Sequence, residues 1–206
     1  MLKLGVLASG RGTDFQSIID AERQNFFDAK IVVLISNNPD AYALERAKQN
    51  GIPAHVISHK GKTREIHEKE ITEVLEKYGV ELVVLAGYTR TFTSFFVNRW
   101  RNRIINIHPA LLPLFGGKGF YGLKVHEAVL SSGMKVSGCT VHFVTEEIDG
   151  GPIIIQKCVE VREDDTPETL AERVLEKEHE ILPLAIKLIA EGKAKIIDGR
   201  RVKIEW

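Results

Sequence analysis

The 206-residue chain has an ordinary globular composition, with 44% hydrophobic and 27% charged residues, so it can form a sizeable core. Its 28 basic and 28 acidic residues balance to a net charge of zero, and no general basic field attracts nucleic acid. The chain lacks the ~20-residue apolar run of a membrane helix and the pattern of a signal peptide. We therefore expect a cytoplasmic protein without nucleic-acid or membrane partners. Cys139 and Cys158 form no C-x-x-C pair, and we expect both thiols to be buried.

The first half of the chain alternates strand and helix patterns. Continuous apolar runs predict strands at residues 2–8, 29–36, 52–58 and 80–87, and amphipathic stretches predict helices at 13–23, 41–50 and 63–78. This alternation is typical of parallel strands that are covered on both faces. We predict a doubly wound, Rossmann-like half with a topological switch point beside the carboxyl end of the first strand.

The second half has a different character, with a fifth strand, a Gly- and Pro-containing loop, a short helix, a hairpin and a long helix. In chain order these are residues 103–107, 109–122, 123–133, 135–145 with 150–161, and 167–191. The tail predicts two short strands around Asp198-Gly199, a strong turn signal. The predicted fold class is α/β, with a mostly parallel central sheet that antiparallel strands extend. We expect a single domain, 1–206, with halves at 1–100 and 101–206.

The segment "SGRGTDF", residues 9–15, joins the first strand to the first helix. Gly10 and Gly12 let the main chain approach a ligand closely, and a helix N-terminus offers free N–H groups to an anion. The segment lacks the third glycine of G-x-G-x-x-G and the Gly-Lys-Ser/Thr ending of a Walker A loop. A tight turn without a ligand is the alternative, and we favour phosphate binding.

The stretch "IINIHPALLP", residues 104–113, ends a strand with polar groups. Asn106 and His108 are two residues apart, so their side chains share one face. The carboxyl ends of parallel strands open into the crevice where such sheets bind ligands. A donor amide beside an imidazolium suits an oxyanion, although either residue alone is more often a satisfied buried group.

Three further segments carry weaker signals. Asp149 lies in "EEIDGGP", where Asp-Gly is also a common turn pair. Thr140 and His142 share a face of the strand "GCTVHF", and for His142 we favour simple core packing. Glu178 lies in the middle of a predicted helix, where charge is usually solvated.

These motifs together resemble the glycinamide ribonucleotide formyltransferase family of de novo purine synthesis. The resemblance rests on "SGRGTDFQSIIDA", "VVLAGYTR", "NIHPALLP", "GCTVHFV", "DGGPII" and "EKEHEILP", in this order, and it covers essentially the whole chain. It implies the formyltransferase fold and transfer of the formyl group of 10-formyltetrahydrofolate to the amine of glycinamide ribonucleotide. It implies no metal, and we expect a monomer or a homodimer.

The resemblance also implies roles for individual residues. Asn106 and His108 would stabilise the tetrahedral oxyanion, and Asp149 would pair with His108 and organise the water that carries the proton. The ribonucleotide would contact Arg11, Gly12, Thr13, Asp14 and Glu178. The folate would contact Arg64, Tyr88, Thr89, Arg90, Thr91, Phe92, Val97, Ile104, Asn106 and Asp149. Thr140 and His142 would support the catalytic residues.

Two departures from the family pattern bear on these roles. Thr13-Asp14 stands where the family usually has Ser-Asn, and a carboxylate beside a phosphate is repulsive unless it turns away. The loop "LFGGKGFYG", residues 114–122, is longer than usual, and its glycines suggest a mobile flap.

Several alternative functions are open at this point. A methionyl-tRNA formyltransferase should carry a further C-terminal domain and a basic surface, and a formyltetrahydrofolate deformylase should carry an N-terminal regulatory domain. A hydrolase could use the same oxyanion site to activate water. A non-catalytic nucleotide-binding module is the reading in which only the glycine loop matters.

Overall fold

A computed structural model describes residues 1–206 as nine strands and six helices. In chain order they are β1 Leu2–Leu7, α1 Thr13–Arg23, β2 Ala29–Ser36, α2 Tyr42–Gln49, β3 Ala54–Val56, α3 Arg64–Lys77, β4 Leu82–Leu85, α4 Ser94–Arg99, β5 Ile104–His108, α5 Leu123–Ser131, β6 Val136–Phe143, β7 Ile153–Glu160, α6 Pro167–Ala190, β8 Ala194–Ile196 and β9 Val202–Ile204. Seven strands form one sheet in the order β3-β2-β1-β4-β5-β6-β7. The predicted fold class is therefore confirmed.

The chain divides into two compact units, residues 1–106 and 107–206. The predicted division into halves at residue 100 stays a prediction. In the first unit, β1 pairs in parallel with β2 on one side and with β4 on the other. Strands β2 and β3 are therefore added on one side of β1, and β4 and β5 on the other. This reversal creates the predicted switch point at the carboxyl end of β1. The core of β1 consists of Leu4, Val6 and Leu7, all fully buried.

Local sequence explains where the helices of the first unit begin and end. Thr63 caps α3, because its Oγ1 accepts the main-chain N–H of Ile66 at 3.3 Å. Gly79 follows the same helix with φ of +63°, the left-handed geometry that glycine adopts at a helix end. These signals place α3 where the sequence predicts it.

Two features of the first unit differ from the prediction. Helix α4 was not predicted, because six residues are too few to show a helical period, although Phe96 and Val97 are buried on it. Strand β3 has three residues instead of seven, and its Ala54 and Val56 are exposed. It lies at the edge of the sheet with β2 as its only neighbour, so two-sided burial is not required of it.

The second unit contains the antiparallel pair β6 and β7, with α6 in contact with both strands and with α5. Helix α6 begins with a capping box in which Thr166 and Thr169 exchange hydrogen bonds. The predicted hairpin around Asp198 is present as β8 and β9. Cys139 is buried in β6, but Cys158 in β7 is exposed, so the expectation of two buried thiols is wrong for Cys158. None of the six helices has the length and apolar character needed to cross a membrane.

Candidate active site

Strand β5 ends with the two polar residues that its alternation predicted on one face. Asn106 is half-buried, and His108 is buried at the last position of the strand. The His108 ring donates from Nε2 to the main-chain carbonyl oxygen of Phe115 at 2.8 Å. A substrate oxygen that uses this N–H must therefore displace the Phe115 carbonyl.

Asp149 lies in the connection between β6 and β7, with φ of +55°. Its Oδ2 accepts the main-chain N–H of Gly117 at 2.8 Å. Its carboxylate faces two imidazoles, with Oδ2 at 3.7 Å from His108 Nδ1 and Oδ1 at 3.7 Å from His142 Nε2. The second unit thus brings together His108, His142 and Asp149, which are far apart in sequence. We call these three residues the His–Asp–His cluster.

The hydrogen bonds of the two imidazoles decide where their protons lie. A carbonyl oxygen can only accept, so the His108 nitrogen facing Phe115 and the His142 Nδ1 facing the Phe143 carbonyl at 2.9 Å are both protonated. In a neutral ring, the nitrogen that faces Asp149 then carries a lone pair. The carboxylate of Asp149 therefore lies between two imidazole nitrogens, each at 3.7 Å.

Burial and nearby charges shift the pKa values of His142 and His126. His142 is buried as expected, and burial lowers its pKa, while Asp149 opposes this effect. His126 on α5 is also buried, and its pKa falls to about 4, mainly through burial and further through the charge of His108. His126 is consequently neutral at physiological pH. Sequence reasoning missed it, because a single histidine on an apolar helix face gives no signal.

Thr140 holds the start of the loop 109–122. Its Oγ1 donates to the carbonyl oxygen of Ala110 at 2.7 Å and accepts the N–H of Leu112 at 3.1 Å. The side chain of Gln156 donates to the same Oγ1 at 3.0 Å. The hydroxyl of a buried strand residue therefore fixes the main chain that follows the strand containing His108.

In the first unit, the loop after β1 has the form expected of an anion site. Gly12 has φ of +68°, and a Cβ there would lie 2.7 Å from the Ala43 Cβ, so only glycine fits. Gly12 immediately precedes α1, and no side chain caps that helix. The N–H groups of its first turn, beginning at Thr13, are therefore the donors available to an anion. Arg11 beside them is exposed.

Asp14, in the first turn of α1, is the predicted departure in this loop. Burial raises its pKa to about 7, because a buried carboxylate loses its hydration. A substantial fraction of Asp14 is then protonated near neutral pH. This reduces the repulsion that an aspartate would otherwise exert on a bound phosphate.

A hydrogen-bond centre at Ser9 joins the loops that follow three strands. Ser9 Oγ donates to Asn37 Oδ1 at 2.5 Å and accepts the main-chain N–H of Thr89 at 2.9 Å. These residues follow β1, β2 and β4. The sequence gives no sign of this centre, because its members are 28 and 80 residues from Ser9.

The predicted folate segment forms an aromatic stack. The ring of Phe92 stacks on Tyr88 at 5.5 Å and on Phe96 at 4.1 Å between centroids. Burial raises the pKa of Tyr88, so its hydroxyl stays protonated. Arg90 is half-buried. The remaining predicted folate residues include exposed and buried positions: Arg64, Thr89 and Thr91 are exposed, and Val97 and Ile104 are buried.

The predicted site residues are distributed over both units. The glycine loop and the segment 88–92 meet through Ser9 in the first unit. The second unit holds the His–Asp–His cluster and Thr140, and Glu178 is buried on α6. The chain contains no group of three or more His, Cys, Asp or Glu side chains arranged to hold a metal ion.

Comparison with known proteins places these residues in a family context. The family model described as formyl transferase matches residues 2–186. The chain is 38% identical to phosphoribosylglycinamide formyltransferase of Escherichia coli over 98% of this chain and 96% of that protein. It is 43% identical to the trifunctional purine biosynthetic protein adenosine-3 of Bos taurus over 97% of this chain, which spans only 19% of that longer protein. The crystal structure of glycinamide ribonucleotide transformylase 1 from Symbiobacterium toebii superposes with a TM-score of 0.94 at 45% identity, covering 99% of this chain and 94% of that one.

Proposed function

This chain belongs to the formyl transferase family, and we propose that it transfers a formyl group from 10-formyltetrahydrofolate to the amine of glycinamide ribonucleotide. The products are formylglycinamide ribonucleotide and tetrahydrofolate, in purine biosynthesis. Relatives that the chain covers almost completely carry the name of this activity. The observation that carries the chemistry is the Asp149 carboxylate, which faces His108 at 3.7 Å at the end of β5.

The reaction begins when the amine nitrogen attacks the formyl carbon. The electron pair of the C=O bond moves to oxygen and forms a tetrahedral oxyanion. The Asn106 amide donates a hydrogen bond to this oxygen, and His108 stabilises it as an imidazolium. Both side chains lie on one face of β5, so a single reacting oxygen can use both.

Proton transfer completes the reaction. The attacking amine must lose a proton, and the folate nitrogen that leaves must gain one. Asp149 balances the charge of His108 and organises a water that carries this proton. His142 Nε2 lies 3.7 Å from the other carboxylate oxygen and packs beside Asp149. The oxyanion then re-forms the C=O bond as the bond from the formyl carbon to the folate nitrogen breaks, and this nitrogen leaves with the proton that it has gained.

Two further sets of predicted residues would bind the two substrates. The main-chain N–H groups of Gly12, Thr13 and Asp14 take the phosphate of the ribonucleotide, and Glu178 takes its ribose hydroxyls. Segment 88–92, with Arg64, takes the folate. Folate is a co-substrate here, and the chemistry requires no metal. We further propose a cytoplasmic location and a monomer or homodimer.

A substrate-dependence assay tests the proposed function. The protein is mixed with 10-formyltetrahydrofolate, with and without glycinamide ribonucleotide, and the folate product is followed by absorbance. We expect turnover only when the ribonucleotide is present. Turnover without it would identify a hydrolase, and bound ligands without turnover would identify a binding module.

A second assay locates the ribonucleotide site. Glu178→Gln should raise the KM for the ribonucleotide at least tenfold and leave the KM for the folate within about twofold, since only the ribose hydroxyls lose a charged acceptor. The opposite pattern would show that Glu178 belongs to the folate site.

A further inference from the structure

A groove at the amino-terminal end of the first unit's sheet is not used by the proposed reaction. It encloses about 590 Å³, and its lining includes Lys3, Lys30, Lys77, Ile52 and Tyr78. This volume is within the usual range for a small-molecule site. Lys3 lies near the start of β1, whereas the glycine loop follows the other end of this six-residue strand. At ~3.3 Å per residue, the two places are about 20 Å apart.

The three lysines of this groove have no partners in the chain. Their ammonium groups make no salt bridge and no hydrogen bond, and all three side chains are exposed. Lys3 and Lys30 are register partners on the neighbouring strands β1 and β2, so their side chains are adjacent on one face of the sheet. Lys3 Nζ also lies close to Gly79, 3.4 Å from the place that a Cβ would occupy there. Gly79 follows Lys77, the last residue of α3, by two positions. Three lysines without a salt bridge therefore line one groove.

Two carboxylates near the groove form hydrogen bonds with the main chain and no salt bridge with these lysines. Glu22, which lines it, accepts the main-chain N–H of Ile31 at 2.6 Å. Glu81 accepts the main-chain N–H of Lys3 at 3.0 Å. Both carboxylates are thus bonded to the main chain instead of to an ammonium group. Like charges on directly paired strand residues are destabilising, and a bound anion would remove this repulsion.

We propose that this groove binds a small phosphate-bearing metabolite at a second site, separate from the glycine loop. Lys3, Lys30 and Lys77 hold the phosphate oxygens. Ile52 and Tyr78 provide an apolar wall for the organic part of the ligand. The groove lies on the amino-terminal side of the sheet, so its occupant does not compete with a phosphate at α1.

Titration with inorganic pyrophosphate, followed by the backbone amide NMR signals of the full chain, tests this proposal. Amides of residues 3, 30 and 77–79 report on the groove, and those of 12–14 report separately on the glycine loop. We expect saturable shifts at the groove amides. The double variant Lys3→Gln/Lys30→Gln should weaken groove binding about tenfold or more, since each lysine removed is one charge less beside the anion. Lys135→Gln/Lys157→Gln, two exposed lysines outside the groove, should bind as the unaltered chain does.

Three results would overturn the proposal. The first is that the groove amides do not shift while those of 12–14 do. The second is that the double variant binds pyrophosphate as tightly as its control variant. The third is that sodium chloride at equal ionic strength produces the same shifts. Lys77→Gln provides an independent variant at a helix end, should the double variant fold poorly. It should weaken pyrophosphate binding about threefold or more, and unchanged binding would likewise contradict the proposal. None of these binding measurements depends on formyl transfer.

Discussion

Replacing Asp149 by asparagine removes one charge from the His–Asp–His cluster and changes its shape very little. Asparagine keeps an oxygen for the Gly117 N–H, and its amide can donate to an imidazole lone pair. The variant should therefore fold and bind both substrates. What it loses is the carboxylate that stabilises the imidazolium of His108.

The separation of 3.7 Å between His108 Nδ1 and Asp149 Oδ2 sets the size of this loss. Coulomb's law gives about 1 kcal/mol in bulk water and about 4.5 kcal/mol at the effective dielectric constant of ~20 that suits protein sites. These energies correspond to rate losses of about fivefold and about 10³-fold. The Asp149 side chain is only 13% exposed, so we expect a loss of kcat near the upper value.

Steady-state formyl transfer measures the loss directly. Asp149→Asn should lower kcat by about 10² to 10³, keep both KM values within about threefold and flatten the acid limb of the pH profile. Asp164→Asn, which removes an exposed carboxylate outside the cluster, should behave as the unaltered chain does. A kcat within about threefold of the unaltered chain, with an unchanged pH profile, would refute the pairing of Asp149 with His108.

Three other substitutions test separate parts of the account. Asn106→Ala should lower kcat by roughly 10² to 10³ in steady-state assays, and full activity would remove Asn106 from the oxyanion role. Gly12→Ala should raise the KM for the ribonucleotide at least tenfold, because the new Cβ would lie 2.7 Å from a neighbouring side chain. Gly133→Ala has a similar positive φ in open space and should keep this KM, so equal effects would contradict a role of the loop in phosphate binding. Hydrogen bonds from Arg173 lower the pKa of Asp165, so this pair stabilises the fold above about pH 4 and the contribution is lost as the pH falls below that value. Asp165→Asn should lower the Tm by about 3 to 6 °C at pH 7 and by less at pH 3, and an equal drop at both would be inconsistent with this linkage.

The sheet and the helices could be predicted because their signals are local. Continuous apolar runs mark β1, β2 and β4, and Thr63 and Gly79 mark the ends of α3. Alternation within β5 also places Asn106 and His108 on one face without any tertiary information. Helix α4 escapes such reasoning, since six residues cover less than two turns.

The contacts of the catalytic groups could not be predicted from patterns. The carbonyl of Phe115 and the N–H of Gly117 act through the main chain, so no side-chain identity reveals them. Asp149 has a positive φ, and the Asp-Gly pair in the sequence is compatible with this geometry but does not require it. The Ser9 centre depends on the order of the strands in the sheet. Cys158 lies in an apolar run, but it is exposed together with Gln156 and Lys157, which precede it on β7, and the run alone does not show this.

The most direct test of the account compares the unaltered chain with His108→Ala at saturating 10-formyltetrahydrofolate and glycinamide ribonucleotide. Formylated ribonucleotide is quantified in a single turnover, and binding of both ligands is measured separately by calorimetry. The account predicts rapid product formation by the unaltered chain, a loss of at least 10²-fold in His108→Ala and similar affinities for both ligands. Product formation by His108→Ala at the rate of the unaltered chain would contradict the assignment of the active site to the end of β5.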